Sequence, residues 1–273
     1  VTQFRGPIRR VDTAKSHHYR DADNRRVPGV TTIIGGGVPK PALINWAGTA
    51  TAEYAVDRWR ELEALKPSEK LKRLQKARYA DRDEAADRGT EVHKLAEPLA
   101  RGAEVDIPDA IAGHVQSYID FLDDFEPEVL LLEATIYSLK WGYAGTLDAI
   151  FYFPTLAQTL LCDIKTNRSG IFGETALQLA GYRYADSYVD ADGVEHPMIP
   201  VDGAAAIHVR ADGYSLIPVI AGPAQHEALR NAMAVREFVA DSKDLLSPPI
   251  DPPHRVHRRR LVVVRPQEGE AAS

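Results

Sequence analysis

The chain has 273 residues, enough for one large domain or two small ones, and its 44 % hydrophobic and 26 % charged residues exclude a disordered protein. No apolar run approaches the ~18 residues of a membrane helix, and Val1-Thr2-Gln3-Phe4-Arg5 carries no signal-peptide core, so a cytoplasmic location and no membrane partner are expected. The single cysteine, Cys162, excludes a disulfide framework, a CxxC zinc site and a four-cysteine iron–sulfur cluster, and the net charge of −6 argues against a protein that coats nucleic acid by bulk charge.

Residues 17–34 read as two short strands around the polar turn Asp21 to Arg26, the second leading into the β-branched run Val30-Thr31-Thr32-Ile33-Ile34. Gly35-Gly36-Gly37 is then expected to break the chain. It is no phosphate-binding P-loop, because no Gly-Lys-Ser/Thr follows; with no other ATPase signature, no nucleotide cofactor is expected. A helical stretch from 41 to 79, interrupted at Pro67, has Trp46, Tyr54 and Trp59 as apolar anchors. Residues 66–78 hold six bases against Glu69 alone, and Lys66, Lys70 and Arg73 share one helical face. Such a face could track a DNA backbone; a solvated surface is the ordinary alternative.

Helices fit 81–101, with Ala85, Ala86, Leu95, Ala96 and Leu99 apolar, and 108–125, with Ile111, Val115, Ile119 and Leu122. Strand candidates at 129–137, 144–153 and 159–165 follow, linked closely enough for antiparallel hairpins. A helix over 173–189, strands at 204–210 and 214–220, and a helix over 222–246 complete the compact part, which the Pro-rich Ser247 to Pro253 ends; the last residues, from Gln267, are expected to fray. Eleven acids and one base, Lys140, fall between 104 and 163, whereas 252–265 holds Arg255, Arg258, Arg259, Arg260 and Arg265 with no acid. A basic periphery around an acidic middle suits an enzyme that grips phosphates outside and holds cations inside. The middle runs α, β, β, β, α, β, an order that several α/β and α+β folds share.

Chemistry concentrates on those middle elements. Asp163 and Lys165, two apart on a strand, project to one face while Cys162 and Ile164 project to the other. Asp148, on the preceding strand candidate, brings a second carboxylate within reach of the same point, flanked by apolar Leu147 and Ala149. Two carboxylates suffice to hold a hard divalent cation beside a phosphate. His93 has Glu97 one turn on as a potential outer partner, Gln178 and Tyr182 share a face of the helix after the Asp163 strand, and Glu133 alternates away from Leu130, Leu132 and Ile136. Each feature alone is matched by an ordinary structural role.

Together, RGTEVHKLAE around His93, GTLD ending in Asp148, DIKT with Asp163 and Lys165, and QLAGY with Gln178 and Tyr182 resemble the PD-(D/E)XK nuclease superfamily, in particular its RecB-type exonuclease branch. The resemblance covers residues 81–220, and SHHYRDADNRRVPGVTTII is similar to the entry region of phage-encoded members. It implies an αβββαβ restriction-endonuclease-like core, a mixed central sheet flanked by helices, with a helical N-terminal extension. The implied division is an N-terminal hairpin and DNA-guiding extension over 1–80, the nuclease core over 81–220, and a C-terminal helix and basic tail over 221–273. It implies His93, Asp148, Asp163 and the Ile164 carbonyl as ligands of Mg²⁺ or Mn²⁺, Lys165 as the catalytic lysine, and Glu133 as a further acid. Gln178 and Tyr182 would bind substrate, joined by Lys70 and Arg73 of the basic helix. The implied activity is metal-dependent exonucleolytic cleavage of DNA ends, with a single-strand annealing protein or a helicase as possible partner. A structure-selective endonuclease and a catalytically silent DNA-binding module are the alternatives. Removing Lys165 or either aspartate is expected to abolish cleavage with little loss of folding.

Overall fold

The computed structural model describes residues 3–13, 16–167 and 170–250, so the Arg255–Arg260 cluster and the end of the chain lie outside the described residues. In chain order the elements are β1 (Arg9–Asp12), β2 (His17–Arg20), β3 (Arg26–Val27), α1 (Val30–Gly37), α2 (Pro41–Asp57), α3 (Trp59–Glu63) and α4 (Pro67–Ala100). After a 3-10 turn come α5 (Ala112–Phe125), β4 (Glu128–Leu132), β5 (Thr135–Ser138), β6 (Tyr143–Thr146), β7 (Ala149–Phe153) and β8 (Gln158–Lys165). The chain continues through α6 (Glu174–Arg183), β9 (Ser187–Val189), β10 (Glu195–Pro197), β11 (Gly203–Arg210), β12 (Gly213–Pro218) and α7 (Pro223–Asp241). Among the described residues, no helix is long and apolar enough to cross a membrane.

The result is a mixed α/β fold around a central sheet of order β12-β11-β8-β7-β4, in which β8 and β11 run parallel and the other pairs antiparallel. Helices cover both faces, so the strands are apolar on both sides. Leu161, Ile150 and Ala204 point into a core with Val30, Ile33, Leu179 and Leu229. Their chain neighbours Cys162, Phe151 and Ala205 point into a second core with Tyr118 and Phe121. A smaller sheet, β10-β9-β5-β6, and the N-terminal sheet β1-β2-β3 pack alongside.

Two of the expected strands divide. The segment 129–137 becomes β4 and β5, and 144–153 becomes β6 and β7; β4 pairs with β7 in the central sheet, β5 with β6 in the smaller one. One long hairpin thus splits between two sheets, and the split falls at Glu133-Ala134 opposite Leu147-Asp148. Two backbone bonds bracket it, Glu133 N–H to the Asp148 carbonyl at 2.9 Å and Leu147 N–H to the Ala134 carbonyl at 3.0 Å.

Three other expectations need correction. Val30–Ile34 is helical, because Val30, Ile33 and Ile34 recur at i, i+3 and i+4 on the buried face, and that burial outweighs β propensity. Gly35-Gly36-Gly37 ends α1 without breaking it: a Cβ on Gly37 would lie 2.0 Å from the Ala232 carbonyl oxygen, so its lack of a side chain lets α1 close onto α7. The helix expected over 173–189 stops at Arg183, and Ser187–Val189 pairs instead with β5 and β10. In addition, α4 runs unbroken through residue 80, where the N-terminal extension was expected to end.

Candidate metal centre

The split hairpin positions two acids. Glu133 occupies the bend between β4 and β5 with φ +46°, a left-handed conformation unusual for a non-glycine residue and of a kind that gathers at functional sites. Asp148 occupies the link between β6 and β7. Its neighbours Leu147 and Ala149 are both fully buried, but in different cores, which fixes the backbone between them. Across from the acids, α4 supplies His93, whose Nδ1 lies 3.6 Å from Asp148 Oδ2. One ligand atom from each of His93, Glu133 and Asp148 falls within 4.8 Å of the others, and all three residues are half-buried.

An imidazole and two carboxylates suit a divalent cation with octahedral preferences, Mg²⁺ or, with the nitrogen ligand, Mn²⁺. The three ligand atoms lie near enough to one another for His93, Glu133 and Asp148 to hold one ion between them. The electrostatics fit as well. Burial, and then the neighbouring Asp148 carboxylate, push the Glu133 carboxyl up to about 7, with His93 and Arg10 pulling the other way. Two carboxylates that resist being charged together form a pocket that a cation relieves.

The register of β7 against β8 sets Ala149 opposite Cys162, which brings Asp148 alongside the Asp163 end of β8. The Ile164 N–H donates to Asp148 Oδ2 at 2.7 Å, so Ile164 meets this acid through its amide. Asp163 and Lys165 share the other face, as strand alternation predicts. Asp163 Oδ2 forms an ion pair with the Lys165 ammonium at 2.6 Å, and the aspartate side chain is only 1 % exposed. Its Oδ1 accepts from Gln178 Nε2 at 2.8 Å, and Lys165 donates to Gln178 Oε1 at 3.2 Å. Burial pushes the Asp163 carboxyl up, and the Lys165 charge draws it back. Burial alone would lower Lys165; the Asp163 and Asp148 carboxylates outweigh it and hold the ammonium above its usual range.

Gln178 also donates to the Tyr182 hydroxyl at 3.2 Å, one turn along α6. A Cβ on Gly145 would stand 2.5 Å from Tyr182 Cε1, so this glycine of the GTLD motif is what admits the tyrosine ring.

The structure therefore brings together His93, Glu133, Asp148, Asp163, Ile164, Lys165, Gln178 and Tyr182. Within that set Glu133 joins His93 and Asp148 in the ligand cluster, and Asp163 is engaged by Lys165 and Gln178. Lys70 and Arg73 are elsewhere: along α4 they precede His93 by ~35 Å and ~30 Å of helix rise. Arg73 lies 3.5 Å from Glu61. Sequence reasoning missed the contribution of the N-terminal hairpin. The Tyr19 hydroxyl meets Thr146 Oγ1 at 2.9 Å and Arg10 reaches the same oxygen at 3.5 Å, two residues from Asp148. A cleft of 630 Å³ opens from Glu133 between Arg10, Arg101 and Asp190. Tyr19 in the polar run His17-His18-Tyr19-Arg20 was the available signal. No protein-family model matches the chain, and no curated protein matches it.

Proposed function

We propose that this chain is a metal-dependent deoxyribonuclease with a restriction-endonuclease-like core of the RecB exonuclease kind, hydrolysing phosphodiester bonds from DNA ends. The observation that carries the reading is the buried Asp163–Lys165 pair on β8, set immediately beside the three-ligand cluster of His93, Glu133 and Asp148. A binding module has no use for an ammonium fixed next to a cation site; phosphodiester hydrolysis uses both.

His93, Glu133 and Asp148 would hold a divalent cation, which would lower the pKa of a bound water and offset charge on the phosphate. The chain's own groups do the rest. Lys165, protonated and held by Asp163 Oδ2 and Gln178 Oε1, orients the attacking water and faces the charge that grows on the phosphoryl oxygens. Asp163, paired with Lys165 and bonded to Gln178, is a positioning residue for that ammonium. Tyr182 fixes the Gln178 amide, so its two ends serve carboxylate and ammonium without flipping. Arg10, which lines the cleft, adds a cation where a strand's phosphates would enter. With no ATPase motif in the chain, unwinding would come from a helicase or annealing partner.

The test compares wild type with Lys165→Gln, which keeps a donor for Asp163, on end-labelled linear DNA and closed circles, with Mg²⁺, with Mn²⁺ and with EDTA. Metal-dependent loss of linear DNA alone, at least 100-fold slower in the variant, is the expected result. Cut circles would move the assignment to an endonuclease, and no cleavage of any substrate would overturn the hydrolytic reading.

A further inference from the structure

The helices α2 and α3 and the start of α4 contribute little to either core. Among the described side chains from 41 to 77, Leu62 alone is buried. Among the described residues, α4 meets the body of the fold through Val92 and Ala96, and Gly89 approaches the end of the site strand, where a Cβ would stand 3.1 Å from Thr166 Oγ1. The helices α2 and α4 pack on each other, so the segment forms a two-helix arm whose far end is α3 and the start of α4. Over residues 58–76 that end carries seven bases and three acids, in a chain whose net charge is −6. Lys66, Lys70, Lys72, Arg73 and Lys76 occupy about 160° of the helix circumference, and Leu71 and Leu74 lie outside that arc. Trp59, between Arg58 and Arg60, is 64 % exposed.

The same helix holds His93 at one end and this basic arc at the other. From His93 to the arc is ~26 to ~40 Å of helix rise, too far for any of its lysines to reach a phosphate at the metal centre. At 3.4 Å per base pair the span corresponds to about 8 to 12 base pairs of duplex.

We infer that the arm is a distal nucleic-acid contact, gripping phosphates about 8 to 12 base pairs from the one being cleaved, so that the protein distinguishes long DNA from short. The inference rests on the nuclease reading for its choice of ligand, a polyphosphate backbone. Charge complementarity selects that ligand: even with Glu69 inside the arc and Glu61 3.5 Å from Arg73, the end of the arm keeps a net positive charge, opposite in sign to the whole chain.

The experiment measures binding to fluorescein-labelled, hairpin-capped DNA stems of 6, 9, 12 and 18 base pairs by anisotropy, with Ca²⁺ in place of Mg²⁺ and salt varied between 50 and 200 mM. The full chain is compared with the quadruple variant K66Q/K70Q/K72Q/K76Q, whose glutamines preserve helix propensity; circular dichroism checks the fold. For wild type, affinity should rise at least tenfold between the 6- and 12-base-pair stems, and the slope of log affinity against log salt should steepen by about 3 to 4. In the variant that step should vanish. A step of equal size in both proteins, or none in wild type, would overturn the arm. Stems bound with the step but never cut under Mg²⁺ or Mn²⁺ would refute the nuclease reading and leave the arm standing. Stems cut without any step would do the reverse.

Discussion

Replacing Glu133 by glutamine should stabilise the metal-free protein at pH 8 and leave it nearly unchanged at pH 4. Burial and the Asp148 carboxylate raise the Glu133 carboxyl from its ordinary 4.5 to about 7. A carboxyl so raised binds its proton more tightly in the folded chain than in the unfolded one. Its contribution to stability is therefore complete below about pH 4.5 and is lost as pH rises through 7. The pKa difference of about 2.5 makes that loss about 3 kcal/mol by pH 8. Glutamine removes the charge and keeps the left-handed backbone, so the strain at φ +46° is common to both proteins and cancels. In EDTA, the melting temperature of E133Q should exceed that of wild type by about 6–12 °C at pH 8 and match it closely at pH 4. Adding Mn²⁺ should reverse the order at pH 8, because the cation stabilises the folded state in proportion to its affinity, and the glutamine has lost a ligand charge. An equal shift at both pH values would show that the gain is not electrostatic. No shift at pH 8 would mean that Glu133 ionises without penalty, and the argument for an anionic cation pocket would fall.

Lys165→Ala leaves Asp163 buried without its cation, so it should lose about 3 kcal/mol at pH 8 by denaturant titration, more than the sequence reading expected; D163N/K165A should regain most of that. Gln178→Ala removes the amide that bridges Asp163, Lys165 and Tyr182, and should lower the cleavage rate ~10- to 100-fold at saturating DNA with little change in KM. Gly37→Ala puts a Cβ 2.0 Å from the Ala232 carbonyl oxygen and should cost more than ~2 kcal/mol in urea unfolding, whereas Gly35→Ala, with nothing within 4 Å, should be neutral or stabilising. Tyr143→Phe loses a hydroxyl bonded to the Gly181 carbonyl at 2.9 Å and within 3.0 Å of His226 Nε2, and should cost about 1–3 kcal/mol by the same assay.

What could be read from the sequence was whatever depends on local period. The pairing of Asp163 with Lys165 follows from alternation along one strand, and that of Gln178 with Tyr182 from one helical turn. Leu147 and Ala149 were recognised as apolar flanks of Asp148, and both are buried. What could not be read was set by contacts remote in sequence. The triple glycine has the local signature of a chain break, and only the approach of Ala232 and Arg236 on α7, some 195 residues later, makes it part of a helix. Ser187–Val189 follows a helix closely enough to read as its last turn; its strand character comes from β5, some 50 residues earlier.

The least legible feature is also the one on which the site depends. Alternation places Glu133 on the face opposite Leu132, but it cannot say that pairing changes sheets at that residue. The change matters because a regular hairpin would hold Glu133 and Asp148 in fixed, flat register as two more rungs of a ladder. At the split, Leu147 is drawn into one core and Ala149 into the other, so Asp148 cannot move toward either sheet without exposing a buried neighbour. Glu133 is turned into the same point by a left-handed residue that the brackets from Glu133 N–H and Leu147 N–H hold in place. Two carboxylates that repel each other are thus kept together by apolar packing on either side of them. The packing of both cores opposes the repulsion, and a cation would remove it, which is why stability at high pH and affinity for metal should change in opposite directions when Glu133 is neutralised.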